Sequence, residues 1–195
     1  MKYVYIHGAT ASQRSFAYIQ KCLRAKDCIY LNYEKDRPAE DNLIDMINTL
    51  SNEDGPFFYI SHSLGGIYAT YLQKEFFDVS KGSVSLSTPF NGSEIATWGS
   101  VLNPHYTLFK DITPYSDFIS KSRTTEIKIP WLQIVSVSGE VPWLAGKNDG
   151  ICTMNSMTYR KDVEYEYVER NHYEIVLSKR VVELIKKFVK SIQTT

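Results

Sequence analysis

Residues 57–66 read FFYISHSLGG, and their pattern indicates how the chain folds here. Its first four residues are apolar without alternation, which is typical of a strand buried on both faces of a parallel sheet. After them, apolar residues recur at helical spacing in Leu64, Ile67, Tyr68, Tyr71 and Leu72. Ser63 therefore lies where a buried strand turns into a helix.

Ser63 also stands in a variant of the G-x-S-x-G turn, in which Ser61 replaces the first glycine and Gly65 is the second. Such a turn lifts a nucleophilic serine into a pocket, and small residues two positions away on either side let the strand and helix pack closely. The start of the helix directs free N–H groups toward the same pocket, so we predict the Leu64 N–H as an oxyanion donor. The alternative is that Ser63 only caps an ordinary helix.

Outward from this stretch, short apolar runs alternate with segments of helical periodicity, which indicates a parallel sheet flanked by helices. Helix faces are predicted around Leu43, Ile44, Ile47 and Leu50, and in the last helix near the carboxyl end of the chain. The predicted strands are 3–6, 28–31, 57–60, 83–86, 131–137 and 163–168. The fold class is therefore α/β, a three-layer α/β/α sandwich with a mostly parallel sheet of about six strands.

We interpret residues 1–195 as one domain. The alternation of strands and helices lapses in 93–128, which is rich in aromatic residues. Long stretches of this kind between elements are often functional, so 93–128 is a candidate lid or cap insertion.

A serine nucleophile needs a base and an orienting acid, which follow it in the order Ser, then Asp or Glu, then His in this type of turn. Two histidines lie after Ser63. His105 is in the candidate insertion, whereas His172 is in a polar loop between the last predicted strand and helix, so we predict His172 as the base. Asp149 in the loop Asn148-Asp149-Gly150 is predicted as the acid, although Asn-Asp-Gly is equally typical of a tight turn.

The loop after the first predicted strand completes the candidate site. It reads His7-Gly8-Ala9-Thr10, and the Ala9 N–H is predicted as the second oxyanion donor, with Thr10 as the second choice. The substrate pocket is predicted to involve His62, Trp98, Phe109 and Trp143. Aromatic residues fill a core by default, so a purely structural role for them stays open.

Composition excludes several classes of partner. The chain has 22 basic and 22 acidic residues without a block of like charge, so a nucleic-acid partner is not expected. Its three cysteines lack C-x-x-C spacing, which predicts free thiols and no structural zinc. No apolar run has the length of a membrane span and no signal peptide is evident, so we expect a soluble, cytoplasmic protein without stable membrane insertion. Oligomeric state stays open, and a monomer is compatible with the sequence.

These motifs together resemble the α/β-hydrolase superfamily, nearest to its compact lipase and esterase branch. The matching segments are His7-Gly8, 61–65, 148–151 and Asn171-His172, and 87–93 is similar to the T-P-H-x-G-S stretch of lipases and of esterases that remodel lipid anchors. Ser61 and Phe90, which takes the histidine position of that stretch, depart from the pattern and leave the subfamily open.

The resemblance implies hydrolysis of carboxylic esters through Ser63, His172 and Asp149 and an acyl-enzyme, on a small-molecule ester or lipid, without metal or organic cofactor. The same triad also serves thioesterases, amidases and acyltransferases. A further alternative is a binding module that keeps the fold without catalysis.

Overall fold

The sheet at the centre of the molecule has six strands. The computed structural model describes residues 1–102 and 105–194. The strands are β1 (Lys2–Ile6), β2 (Cys28–Leu31), β3 (Phe57–His62), β4 (Ser80–Leu86), β5 (Trp131–Ser136) and β6 (Glu164–Val168). They lie in the order β2-β1-β3-β4-β5-β6, and each neighbouring pair is parallel. The predicted sheet is thus confirmed, with β3 and β4 longer than expected.

Helices connect successive strands and cover both faces of the sheet. They are α1 (Ala17–Leu23), α2 (Ala39–Ser51), α3 (Leu64–Glu75), α4 (Glu94–Leu102), α5 (Thr107–Asp111), α6 (Asp117–Thr124), α7 (Met154–Met157) and α8 (Lys179–Gln193). The candidate insertion 93–128 contains α4, α5 and α6, which lie between β4 and β5. The hydroxyls of Ser116 and Ser178 accept N–H bonds at the starts of α6 and α8, which caps these helices.

The core has two main layers, one on each face of the sheet. Val4 and Tyr59 pack with α2 and α3 on one face, whereas Tyr5, Phe58 and Ile60 pack with α1 and α8 on the other. Because side chains alternate along a strand, a central strand covered on both faces needs apolar residues at every position. This explains the unbroken run in β3 and confirms the three-layer sandwich.

One helix face differs from the prediction. Ala39, Asn42, Met46 and Leu50 are the buried residues of α2, whereas Ile44 is 55% exposed. Asn42 occupies the inward face because its side-chain amide accepts from the Glu34 N–H at 3.2 Å and donates to the Glu34 carbonyl at 2.8 Å. A buried polar residue satisfied in this way is invisible to a count of apolar spacing.

The parallel sheet brings the candidate residues to one edge. Loops that follow the carboxyl ends of β1, β3, β5 and β6 carry Ala9, Ser63, Asp149 and His172, respectively, and parallel strands end at a common edge. Across residues 1–102 and 105–194, none of the helices has the length and apolar character needed to cross a bilayer.

Candidate active site

Ser63 lies at a strained turn between β3 and α3. Its backbone angles are φ 52° and ψ −124°. Residues other than glycine rarely adopt a positive φ of this kind. The Ser63 N–H donates to the Leu86 carbonyl at 2.8 Å, and the Thr88 hydroxyl donates to the Ser63 carbonyl at 3.0 Å. These bonds to the end of β4 and the segment after it hold the strained residue in place.

The turn needs small residues because neighbouring atoms approach its backbone closely. A Cβ atom added to Gly65 would lie 2.1 Å from the carbonyl oxygen of Ile6 in β1, and one added to Gly66 would lie 2.0 Å from Thr88 Oγ1. Ser61 fills the first glycine position of the motif, is fully buried, and its hydroxyl has no partner among the residues described. Serine is therefore small enough for this position, and its hydroxyl adds no hydrogen bond.

Asp149 and His172 form a buried pair. Nδ1 of His172 donates to Asp149 Oδ2 at 2.7 Å, and the two residues are 3% and 1% exposed. A backbone bond from the His172 N–H to the Asp149 carbonyl, 3.1 Å long, reinforces the contact between the two loops. A carboxylate on Nδ1 fixes the tautomer in which Nε2 is free to accept a proton.

The Asp149 carboxylate accepts four hydrogen bonds. Its Oδ1 accepts the N–H groups of Ile151 at 3.1 Å and Cys152 at 2.7 Å, and its Oδ2 accepts the Ser136 hydroxyl as well as His172. Burial by itself raises the pKa of this carboxyl, but the bonds from His172, Ser136 and Cys152 outweigh burial and lower the pKa below its usual value. Asp149 is therefore held as a carboxylate.

A line of hydroxyls behind the acid was not predicted from the sequence. Ser136, the last residue of β5, bonds to Asp149, and the hydroxyl of Ser87 lies 2.6 Å from that of Ser136. Ser87, the residue that follows β4, also has a positive φ, of 49°. Ser136 lies in no motif, and the family-like stretch 87–93 gives no sign that Ser87 contacts Ser136, because their proximity depends on the alignment of β4 with β5.

His62 lies beside the pair, and His7 lies near His62. His62 Nε2 donates to the His172 carbonyl at 2.9 Å, and its Nδ1 is buried without a partner among the described residues. Burial and the nearby His172 lower the pKa of His62 to about 3, so His62 stays neutral. Burial also lowers the pKa of His7, whose ring stacks on Tyr33 with centroids 4.3 Å apart.

A pocket of about 160 Å³ opens beside Ser63. Six of the predicted residues line it, and Asp149 lies behind His172. The six are Ala9, His62, Ser63, Leu64, Phe109 and His172, and Thr10 joins them. Ser63 and His172 both line this pocket, without a hydrogen bond between their side chains, and catalytic contacts of this kind commonly tighten only when substrate binds.

Trp98 and Trp143 do not line this pocket, contrary to the prediction. Trp98 is 70% and Trp143 is 72% exposed. The helix α4 turns Ile95, Ala96 and Gly99 toward the pocket, which places Trp98 on its outer face. Trp143 lies in a surface turn before the Asp149 loop, and sequence gives no signal for which side of a turn an aromatic ring occupies.

A metal could be considered at Asp149, Cys152 and His172, whose ligand atoms lie within 4.8 Å of one another. However, the acceptor positions of Asp149 are already taken by four donors. Burial and the charge of Asp149 raise the pKa of the Cys152 thiol well above its usual value, whereas metal binding needs a thiolate. The arrangement fits proton transfer better than metal binding.

Comparison with known proteins identifies the fold. No protein-family model matches the chain, and no curated protein sequence matches it. Among solved structures, the mature lipase BlEst2 of Bacillus licheniformis is similar over 98% of this chain and 91% of its own, with TM-score 0.72 and 14% identity. Est1E from Butyrivibrio proteoclasticus is similar over 100% of this chain and 88% of its own, with TM-score 0.70 and 14% identity.

The metagenomic carboxyl esterase MGS0156 has the higher TM-score of 0.77, at 10% identity, over 100% of this chain and 76% of its own. At such low identity these likenesses concern architecture. The chain therefore has the α/β-hydrolase fold found in lipases and esterases.

Proposed function

We propose that the protein is a serine hydrolase that cleaves carboxylic esters, with Ser63 as nucleophile, His172 as base and Asp149 as the orienting acid. The observation that carries the proposal is the 2.7 Å bond from His172 Nδ1 to a fully buried Asp149, beside a serine held at a positive φ in the same pocket. The lipase and esterase structures that share the fold support it.

The proposed reaction has two halves. His172 Nε2 takes the Ser63 proton as Ser63 Oγ attacks the ester carbonyl carbon, and the imidazolium then gives that proton to the departing alcohol. Water attacks the acyl-enzyme by the same route, releasing the acid and restoring Ser63. Asp149 stays ionised and stabilises the imidazolium, in keeping with its lowered pKa.

Backbone N–H groups stabilise the oxyanion in this proposal. Leu64 is the first residue of α3 and Ala9 lies in the loop after β1, and both residues line the pocket beside Ser63, which supports their N–H groups as the donors. Donors placed at a developing oxyanion typically contribute about 3 kcal/mol each to the transition state. Thr10 remains the second choice for the donor from this loop.

The remaining walls of the pocket indicate an ester with an apolar acyl group. They include Leu64, Ile67, Ile95, Ala96, Phe109, Ile112 and Ile119. Most of these residues come from α4 to α6, so the segment 93–128 supplies much of the apolar wall of the pocket, as a cap insertion would. A small-molecule ester is therefore the proposed class of substrate.

A fluorophosphonate label together with p-nitrophenyl ester turnover tests the proposal. Ser63→Ala is expected to abolish labelling and to lower turnover at least about a thousandfold, because the attacking oxygen is lost. His172→Ala is expected to have a comparable effect, whereas His105→Ala, at the other histidine after Ser63 and exposed, keeps full turnover. A folded wild type inert to both reagents contradicts the proposal and favours a binding module.

A further inference from the structure

Two buried isoleucines form part of the wall of the pocket beside Ser63. Ile119 is 0% and Ile112 is 7% exposed, and both line the pocket from α6 and from the end of α5. Phe109, a half-buried ring on α5, lines the same pocket. An acyl chain bound beside Ser63 therefore packs against apolar side chains that are held in the core.

Gly99 determines how close Phe109 approaches α4. A Cβ atom at position 99 would lie 3.3 Å from Phe109 Cδ2, so the ring packs directly on the backbone of the helix. Both residues line the pocket. Phe109 therefore occupies space into which the pocket would otherwise extend, and the absent side chain at Gly99 leaves the remaining space open.

The volume of the pocket limits the size of the group it can hold. The cavity measures about 160 Å³. An apolar cavity of about 150 Å³ holds one benzene molecule, whereas pockets for larger ligands measure roughly 300 to 1,000 Å³. A chain of about six carbons fills a cavity of this size, and a chain twice as long must leave part of its apolar surface in water.

From these observations we propose that the substrate is an ester of a short or medium acyl chain of about six carbons, and that Phe109 and Gly99 set this limit. This inference rests on the proposed ester hydrolysis. It excludes esters with the long acyl chains of membrane lipids as preferred substrates. The specificity for chain length is assigned to the ring of Phe109 and to the missing side chain at Gly99.

The test is the chain-length profile of kcat/KM over p-nitrophenyl acetate, butanoate, hexanoate, octanoate and dodecanoate, at concentrations where no ester forms micelles. For the wild type, hexanoate is expected to exceed dodecanoate by at least roughly tenfold. Phe109→Ala is expected to move the optimum to octanoate or longer, and Gly99→Val to move it to acetate or butanoate. Trp98→Ala, on the outer face of the same helix, is the matched control and keeps the wild-type profile.

Should Phe109→Ala fail to fold, Phe109→Leu enlarges the pocket less. It is expected to move the chain-length optimum in the same direction by a smaller amount. A wild type that prefers dodecanoate, or a folded Phe109 variant with an unchanged profile, overturns the size limit while ester hydrolysis stands. A wild type that labels with fluorophosphonate and cleaves no ester overturns the ester proposal itself, and the size limit with it.

Discussion

At the scale of single residues, the hydroxyl of Ser136 is the least expected part of the site. It donates to Asp149 and in turn contacts Ser87, so the acid is positioned from the sheet as well as from its own loop. Hydrogen bonds to a buried charge contribute more than neutral ones, on the order of 1.5–3 kcal/mol. Part of this free energy serves to orient His172.

Ser136→Ala is therefore expected to raise the pKa of Asp149 and to lower kcat roughly tenfold, with little change in KM. The measurement is steady-state ester turnover, with equilibrium unfolding in urea to verify the fold. Ser83→Ala is a matched control, because Ser83 is equally buried and its hydroxyl has no partner within the described parts of the chain. Equal losses in the two variants would mean that the effect of Ser136 is packing alone.

The sequence was most informative where chemistry needs a fixed chain order. Ser63, Asp149 and His172 follow the order of the resembled family, and the structure brings Asp149 and His172 into contact while placing Ser63 in the same pocket. Their catalytic roles remain predictions. Ser87 and Ser136 were missed, because strand alignment and not spacing along the chain brings them together. Trp98 and Trp143 were misplaced, because an aromatic residue carries no signal for the side of a helix or turn it occupies.

At the scale of elements, the junction between β3 and α3 depends on the absence of side chains. Gly65→Ala forces a methyl group against the Ile6 carbonyl of β1, where the clashing atom is backbone and cannot rotate away. We expect it to lower the free energy of unfolding by at least about 2 kcal/mol and to disturb the angle at Ser63. Urea unfolding followed by circular dichroism measures the loss.

Gly99→Ala is the matched control for this substitution. Gly99 also lies within a helix, but its added methyl would meet only the edge of the Phe109 ring, at 3.3 Å. Alanine has the higher helix propensity by about 1 kcal/mol, which offsets the tight contact. A Gly65→Ala variant as stable as Gly99→Ala would show that the backbone of β1 yields at this junction.

Helices and strands could be predicted where the spacing of apolar residues reflects which positions are buried. The six strands were found because each is an apolar or alternating run with turn residues nearby, whereas the ends of β3 and β4 were missed because Ser61, His62 and Ser80 are polar yet lie in the sheet. The face of α2 was misassigned around Ile44, because Asn42 replaces an apolar residue on the buried side. The paired polar groups of a core have no periodic signal in sequence.

At the scale of the whole molecule, the buried histidines make stability depend on pH. Histidine has an unfolded pKa of about 6.5, whereas burial lowers the pKa of His62 to about 3 in the folded protein. Between these values the unfolded chain binds a proton that the folded chain does not, so the free energy of unfolding falls as the pH falls. The lowered pKa of His7 acts in the same direction.

Asp149 causes a further loss of folding stability at lower pH. Its folded pKa lies below the unfolded value of about 3.9, so its stabilising contribution is present above that value and is lost as the pH falls through the folded pKa. We therefore expect acid to destabilise the protein in two stages, the first from the histidines and the second from the acid.

Urea unfolding at about pH 7.5 and about pH 5 is expected to show a loss on the order of 2 kcal/mol for the wild type. His62→Gln, which retains an N–H donor and has no titration in this range, is expected to lose much less between the same two conditions. An identical loss in both proteins would place the acid sensitivity elsewhere.

The order of the strands also has a consequence for the time course of refolding. The loop of His172 leaves β6 at the edge of the sheet, whereas Ser63 leaves β3 near its centre, with β4 and β5 between them. Of the three tryptophans, Trp131 in β5 is 2% exposed, and the other two are on the surface. The blue shift of tryptophan fluorescence should therefore report the docking of β5, and any enzymatic turnover should be recovered with it or after it, never before.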